Sequence, residues 1–182
     1  MFNDKRSKKV VLVAHCILNQ NAKLDNVANY PGTIKEASEV LLNADIGIIQ
    51  MPCPELLYLG LDRDVAYGKT HSIESERTRI AERMLEEQAQ SLCRKIIEDI
   101  IFQITEYQKF CFDIVGLVGF NGSPTCGVEK TWSEGREHKG SGIFIKMLKE
   151  ELAKRNIDLQ MLGISSSDPE EAVSKINILL KI

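Results

Sequence analysis

Val10-Val11-Leu12-Val13-Ala14-His15-Cys16-Ile17-Leu18-Asn19 is a short apolar, β-branched run that ends abruptly at a cysteine. The pattern recurs twice. Ile46 to Gln50 leads into Met51-Pro52-Cys53-Pro54-Glu55, and Phe112 to Gly119 leads into Asn121-Gly122-Ser123-Pro124-Thr125-Cys126-Gly127. Runs of this length, bounded by Gly, Pro and Asn, read as parallel strands covered on both faces. In an open parallel sheet the strands point one way, so the segments after their carboxyl ends gather on one edge, where such folds bind ligands. Three thiols distant in sequence are therefore expected together in space.

The remaining segments supply the scaffold. Thr33-Ile34-Lys35-Glu36 fits a capping box, with Ile34, Ala37, Val40 and Leu41 as the apolar stripe of a first helix. From Glu74 to about Lys109, Ile80, Met84, Ala89, Leu92, Cys93, Ile96, Ile97, Ile100, Ile104 and Tyr107 recur at steps of three and four. That helix is long for a globular domain, so a break is expected within it. Strand three covers about 112–119 and a helix 141–155, with a polar stretch from Glu129 to Lys139 between them. Asp158 to Gly163 reads as strand four. Asp168-Pro169-Glu170-Glu171 opens the last helix, with proline at its first position. Residues 1–8 read as a frayed lead-in, and Leu56 to Ser72, with no clear period, as an excursion over the sheet edge. The order βαβαβαβα predicts one α/β domain over 1–182. It is a Rossmann-like, doubly wound parallel sheet of about four to five strands with helices on both faces.

Composition narrows the function. The 182 residues are 43% hydrophobic and 27% charged, with a net charge of −3. That is globular and carries no basic footprint for nucleic acid. No run approaches the ~18 apolar residues that span a bilayer, and the apolar run after Lys9 is too short for a signal peptide. The expectation is a cytoplasmic protein, monomer or homodimer, without a membrane or nucleic-acid partner. Five cysteines in a reducing compartment point to thiol or metal chemistry rather than disulfides.

The five are not equivalent. Cys93 lies on the apolar stripe of the long helix and reads as core. Cys111 precedes strand three while Cys126 follows it. Eight residues of strand at ~3.3 Å each separate those ends by about 26 Å. Cys16, Cys53 and Cys126 remain. Three thiolates without a fourth nearby protein ligand suit an iron–sulfur cluster with one open iron, or a zinc site. His15 is expected on the opposite side of the strand from Cys16. No C-x-x-C occurs, so the chain matches no zinc-ribbon or ferredoxin pattern. Glu55, in the second cysteine loop, is placed to deprotonate a water; a surface ion pair is its plainer role. Ser123 can bond a cluster sulfide, orient substrate or cap a turn. Ser141 and Gly142 open a helix whose free amides favour an anionic or carbonyl oxygen, or form a simple cap. Asn21, Tyr67 and His71 lie in long loops and are candidates for substrate contact by position alone.

Cys16-Ile17-Leu18-Asn19, Pro52-Cys53-Pro54-Glu55 and Ser123-Pro124-Thr125-Cys126-Gly127, extended by Lys139-Gly140-Ser141-Gly142, resemble the motifs of the thiouracil desulfurase (TudS-type desulfidase) family over roughly 10–165. Asn19 stands where that family has glycine, which marks a divergent branch. The resemblance implies a [4Fe–4S] cluster held by Cys16, Cys53 and Cys126 with the fourth iron free of protein ligands. It implies an enzyme that removes sulfur from a small thiocarbonyl or thiolated compound, turning C=S into C=O with release of sulfide. A cluster or sulfide carrier without turnover, and a zinc-thiolate structural protein, are the alternatives.

Overall fold

Val10 to Ala14 are buried almost completely on both faces, which only an interior strand of a covered sheet allows. In the computed structural model, which describes residues 2–65 and 71–181, these residues form β1 (Lys9–Ala14), paired in parallel on one side with β2 (Gly47–Met51) and on the other with β3 (Asp113–Phe120). β6 (Met161–Ile164) pairs in parallel with β3, giving the order β2-β1-β3-β6. The chain moves from β1 outward to β2 and then returns to place β3 on the other flank of β1. The topological switch therefore lies between β1 and β3.

Helices cover both faces. α2 (Lys35–Asn43) packs on α7 (Pro169–Leu180), and α7 also packs on β3 and β6. α5 (Glu87–Lys109) packs on β3, on α6 (Ile143–Lys154) and on α3 (Pro54–Leu59). The core joins Val11, Leu12, Val13, Leu117 and Val118 of the sheet to Ile34, Leu41, Ile97, Ile104, Phe144 and Ile176 of the helices. Gly116 is required by this packing: a Cβ there would meet Leu179 Cδ1 at 2.7 Å and the Gln160 carbonyl at 2.8 Å. This is the doubly wound α/β arrangement expected from the strand runs.

The break foreseen in the long helix occurs, and three other local expectations are corrected. The long helical pattern is broken at Met84–Glu86 into α4 (Ile73–Arg83) and α5, without a proline or glycine to announce it. The capping box at Thr33 does not form. Ile34 is the cap residue, and the Thr33 hydroxyl instead donates to the Ile17 carbonyl at 2.9 Å and bonds Ser38 Oγ at 2.6 Å, tying α2 to α1 (His15–Leu18). Cys16 thus sits in a helical turn, not an open loop. Finally, the polar stretch 129–139 contains an antiparallel ribbon of β4 (Lys130–Ser133) and β5 (Arg136–Lys139). Its turn residues Glu134 and Gly135 both have positive φ, 52° and 73°, the geometry of a two-residue hairpin whose twist matches its strands. Among the described residues no helix is long and apolar enough to cross a membrane.

Candidate functional site

The carboxyl ends of β1, β2 and β3 each carry one cysteine to the same cavity. Cys16 follows β1, Cys53 follows β2, and Cys126 follows β3 through a short loop. All three line one cavity with Glu55, Ser123, Lys23, Arg63, Arg77, Leu24, Val27, Ile80, Phe120 and Pro124, around a free volume of about 70 Å³. None is in a disulfide. The location matches the switch-point rule for open α/β sheets.

Each loop is built to hold its thiol. Cys53 is the cap residue of α3, with Pro54 at the first helical position, and its Sγ accepts from the Leu56 amide at 3.4 Å. This short helix puts Glu55 in its first turn, on the cavity wall. In the third loop the Ser123 hydroxyl accepts from the amides of Thr125 at 3.1 Å and Cys126 at 2.9 Å. The same hydroxyl donates to Glu55 Oε1 at 3.3 Å, so one group ties the second loop to the third. Asn121 anchors that loop to its surroundings: its side chain donates to Gly163 O and accepts from the amides of Glu129 and Lys130.

The sulfurs are desolvated although each residue keeps some surface. Burial pushes the Cys16 thiol up to about 12, with Cys53 next to it adding to the rise. Burial, with Glu55 nearby, pushes Cys53 up to about 11. Burial also raises Cys126 well above the ordinary thiol range, and Cys53 and Cys16 raise it further. Three thiols that disfavour one another's charge stay protonated unless a cationic group compensates. Among the described residues no set of three or more His, Cys, Asp and Glu side chains is arranged to hold a metal ion.

Three cations also line the wall. Arg63 is 1% exposed and its Nε lies 3.6 Å from Glu55 Oε2. Lys23 Nζ sits over the Phe120 ring at 4.2 Å and donates to Ser166 Oγ at 3.4 Å; burial lowers its pKa. Arg77 lies over Trp132 at 5.3 Å.

Ser141 and Gly142 do not line this cavity. The Ser141 hydroxyl donates to Val128 O at 2.9 Å and accepts from Lys149 at 2.8 Å. The amides at the start of α6 are already used: Ile143 donates to Pro124 O at 3.0 Å and Phe144 to Thr125 O at 3.1 Å. The helix terminus does bind carbonyl oxygens, but they belong to the third cysteine loop. Gly142 is required there, since a Cβ would meet the Thr125 carbonyl at 2.5 Å. His15 turns from the cavity to bond Gln50. Asn21 bonds Asn19 within its own turn, and His71 pairs with Glu76 at 3.3 Å; neither lines the cavity. Tyr67 lies outside the described residues. Cys93 is buried in the core and Cys111 is exposed at the opposite end of β3.

Lys23, Arg63, Arg77 and Phe120 are among the cavity residues that sequence reasoning missed. The three cations stand in polar or amphipathic stretches where nothing distinguishes them from solvated charges. Phe120, directly after a strand run, was the more legible one.

No protein-family model matches the chain. It is 33% identical over 165 residues to the uncharacterized protein MJ0003 of Methanocaldococcus jannaschii, an alignment spanning 91% of each chain. The chain belongs to the family of that archaeal protein. Among solved structures it is similar to a [4Fe-4S]-dependent thiouracil desulfidase, TudS, at 17% identity and a TM-score of 0.43, with 93% of this chain and 99% of that one covered.

Proposed function

We propose that this protein is an iron–sulfur-dependent desulfidase, acting on a small thiocarbonyl or thiolated compound with water to give the C=O product and sulfide. One observation carries the reading: three thiols from three separate loops and one carboxylate, Glu55, line a single cavity, with Ser123 linking the carboxylate to the third loop. The Pro-Cys-Pro-Glu and Ser-Pro-Thr-Cys-Gly motifs that form two of its walls support it.

The donor set fits a cluster. The three soft thiol donors come from three separate loops, with no fourth cysteine or histidine among the described residues of the cavity wall to complete a four-ligand zinc site. A [4Fe–4S] group offers separate irons to separate thiolates, and soft sulfur donors suit it. The positive charge of such a group would compensate the buried thiolates. Cys16, Cys53 and Cys126 would hold it. When bound, a cluster with one iron free of protein ligands supplies a Lewis acid that takes up sulfur and polarises the C=S bond.

The chain's own residues do the rest. Glu55 takes a proton from water as the oxygen attacks the thiocarbonyl carbon. Ser123, donating to Glu55 Oε1, holds that carboxylate in place on the cavity wall. Leu24, Val27, Ile80 and Phe120 form an apolar wall that limits the water present. The oxygen of the water ends in the product and the sulfur leaves as sulfide, so no oxidant or reductant is consumed.

The test is anaerobic reconstitution with iron and sulfide, followed by incubation with thiouracil and other small thiocarbonyl compounds in ¹⁸O-labelled water. The expected result is sulfide release with label in the product. Protein that holds iron and sulfide but releases none from any compound would instead be a carrier.

A further inference from the structure

Arg63 is charged, 1% exposed, and has no part in the chemistry above. Burying a guanidinium is costly unless its donors are satisfied and its charge is met. Here the donors reach two segments, and the third nitrogen faces Glu55. Nη1 donates to Gly60 O at 2.7 Å and to Leu61 O at 3.3 Å, in the turn that ends α3. Nη2 donates to the carbonyl of Ala22, in the 3₁₀ turn just before Lys23, Leu24 and Val27, which line the cavity. Nε has no hydrogen-bond partner and faces Glu55 Oε2 at 3.6 Å. The backbone of Arg63 is itself held in the left-handed region, φ 57°, and its carbonyl accepts from Arg79 at 2.7 Å.

We infer that Arg63 is a positioning residue that fixes Glu55 and the Ala22 turn relative to each other, so that the carboxylate and the cavity wall are set as one unit. The step about turnover rests on the proposed role of Glu55; the clamp itself does not. Ser123 takes Oε1 and Arg63 faces Oε2, so the carboxylate is restrained from both sides. The task needs a guanidinium. Its planar fork presents five donors in fixed directions, whereas a lysine carries the same charge at a single point on a flexible stem. Lysine at this position could face Glu55 or reach one carbonyl, but could not hold both ends of α3 and the Ala22 turn at once.

The experiment is a double-substitution cycle with Arg63→Lys and Glu55→Gln. In metal-free protein, the two changes should lower the melting temperature non-additively, because they break one contact. In reconstituted protein, Arg63→Lys should keep iron content and reduce kcat for sulfide release by roughly 10²-fold, the scale of a misplaced catalytic group, with a smaller change in KM. Placed on Glu55→Gln, it should reduce kcat little further. Additive melting shifts, or wild-type kcat in Arg63→Lys, overturn the inference. A fall in kcat that is as large in the Glu55→Gln background as alone also overturns it, since that marks general damage. Should Arg63→Lys fail to fold, the side-chain Nε–H signal of Arg63 in the metal-free wild-type protein decides. Slow exchange with solvent and a shift on Glu55→Gln support the clamp, and rapid exchange or an unmoved signal refutes it. Absence of sulfide release by the wild type would remove the desulfidase reading while the melting cycle still decides the clamp.

Discussion

Ser123 Oγ donates to Glu55 Oε1 at 3.3 Å across 68 residues of sequence. The same oxygen accepts the amides of Thr125 and Cys126, so the cap of the third cysteine loop is also the link to the second. Ser123→Ala removes all three bonds. Two amides in a half-buried loop lose their partner, at about 0.5–1.5 kcal/mol for each net hydrogen bond lost. The expected outcome is a lower unfolding midpoint, weaker iron retention and slower sulfide release. An unchanged midpoint would show that water replaces the hydroxyl without cost.

Glu55→Gln keeps size and hydrogen bonding but removes the carboxylate's basicity. Iron and acid-labile sulfide should stay near wild type while sulfide release falls by roughly 10²–10⁴. Loss of the cluster instead would make Glu55 a structural neighbour of it. Unaffected turnover would place the base elsewhere.

The cysteines divide by location. Cys16→Ser, Cys53→Ser and Cys126→Ser should each lower the iron bound after anaerobic reconstitution. Cys93→Ala and Cys111→Ser should retain it, because the first is core and the second lies at the far end of β3. A variant of either that folds but loses iron would redraw the site.

The metal-free protein should lose stability in alkali. Cys16 and Cys53 titrate near 12 and 11 when folded, against an ordinary thiol value of 9.0. Between those values the unfolded chain has released its protons and the folded chain has kept them, so raising the pH favours unfolding. The contribution is intact below about pH 9 and is lost progressively between about 9 and 12. Urea midpoints across that range should fall less steeply in Cys16→Ser and Cys53→Ser. Parallel curves for wild type and variants would show that other groups govern the alkaline limb.

Gly142→Ala tests the seating of the third loop. The backbone there, φ −64°, suits any residue, so the effect is steric alone. A Cβ 2.5 Å from the Thr125 carbonyl must displace the loop or α6. Overpacking of this kind costs about 1–3 kcal/mol. A wild-type unfolding midpoint would mean that the two backbones part easily.

The sequence by itself determined the architecture of this protein and where its thiols gather. Val10–Ala14 is apolar without alternation, which fits a strand buried on both faces, Ile46–Gln50 and Phe112–Gly119 are largely apolar runs of strand length, and parallel strands bring their carboxyl ends to one edge. The end-to-end length of β3 separated Cys111 from Cys126 by the same elementary geometry. Local pairing was less legible. Thr33 had the residues of a capping box, but a hydroxyl bonds whichever partner the packing presents, and here that was the Ile17 carbonyl. The length of the helix foretold a break but not its place at Met84–Glu86, which lacks a breaker residue, and the β4–β5 ribbon left no periodic trace because it buries only Thr131 and Trp132. Only the tertiary structure decided which charges face the cavity. Arg63, Lys23 and Arg77 look like any solvated cation along the chain, and the helix start at Gly142 looks like an open oxygen site. A side chain's charge is written in the sequence, whereas its burial depends on which segments, far apart along the chain, close around it.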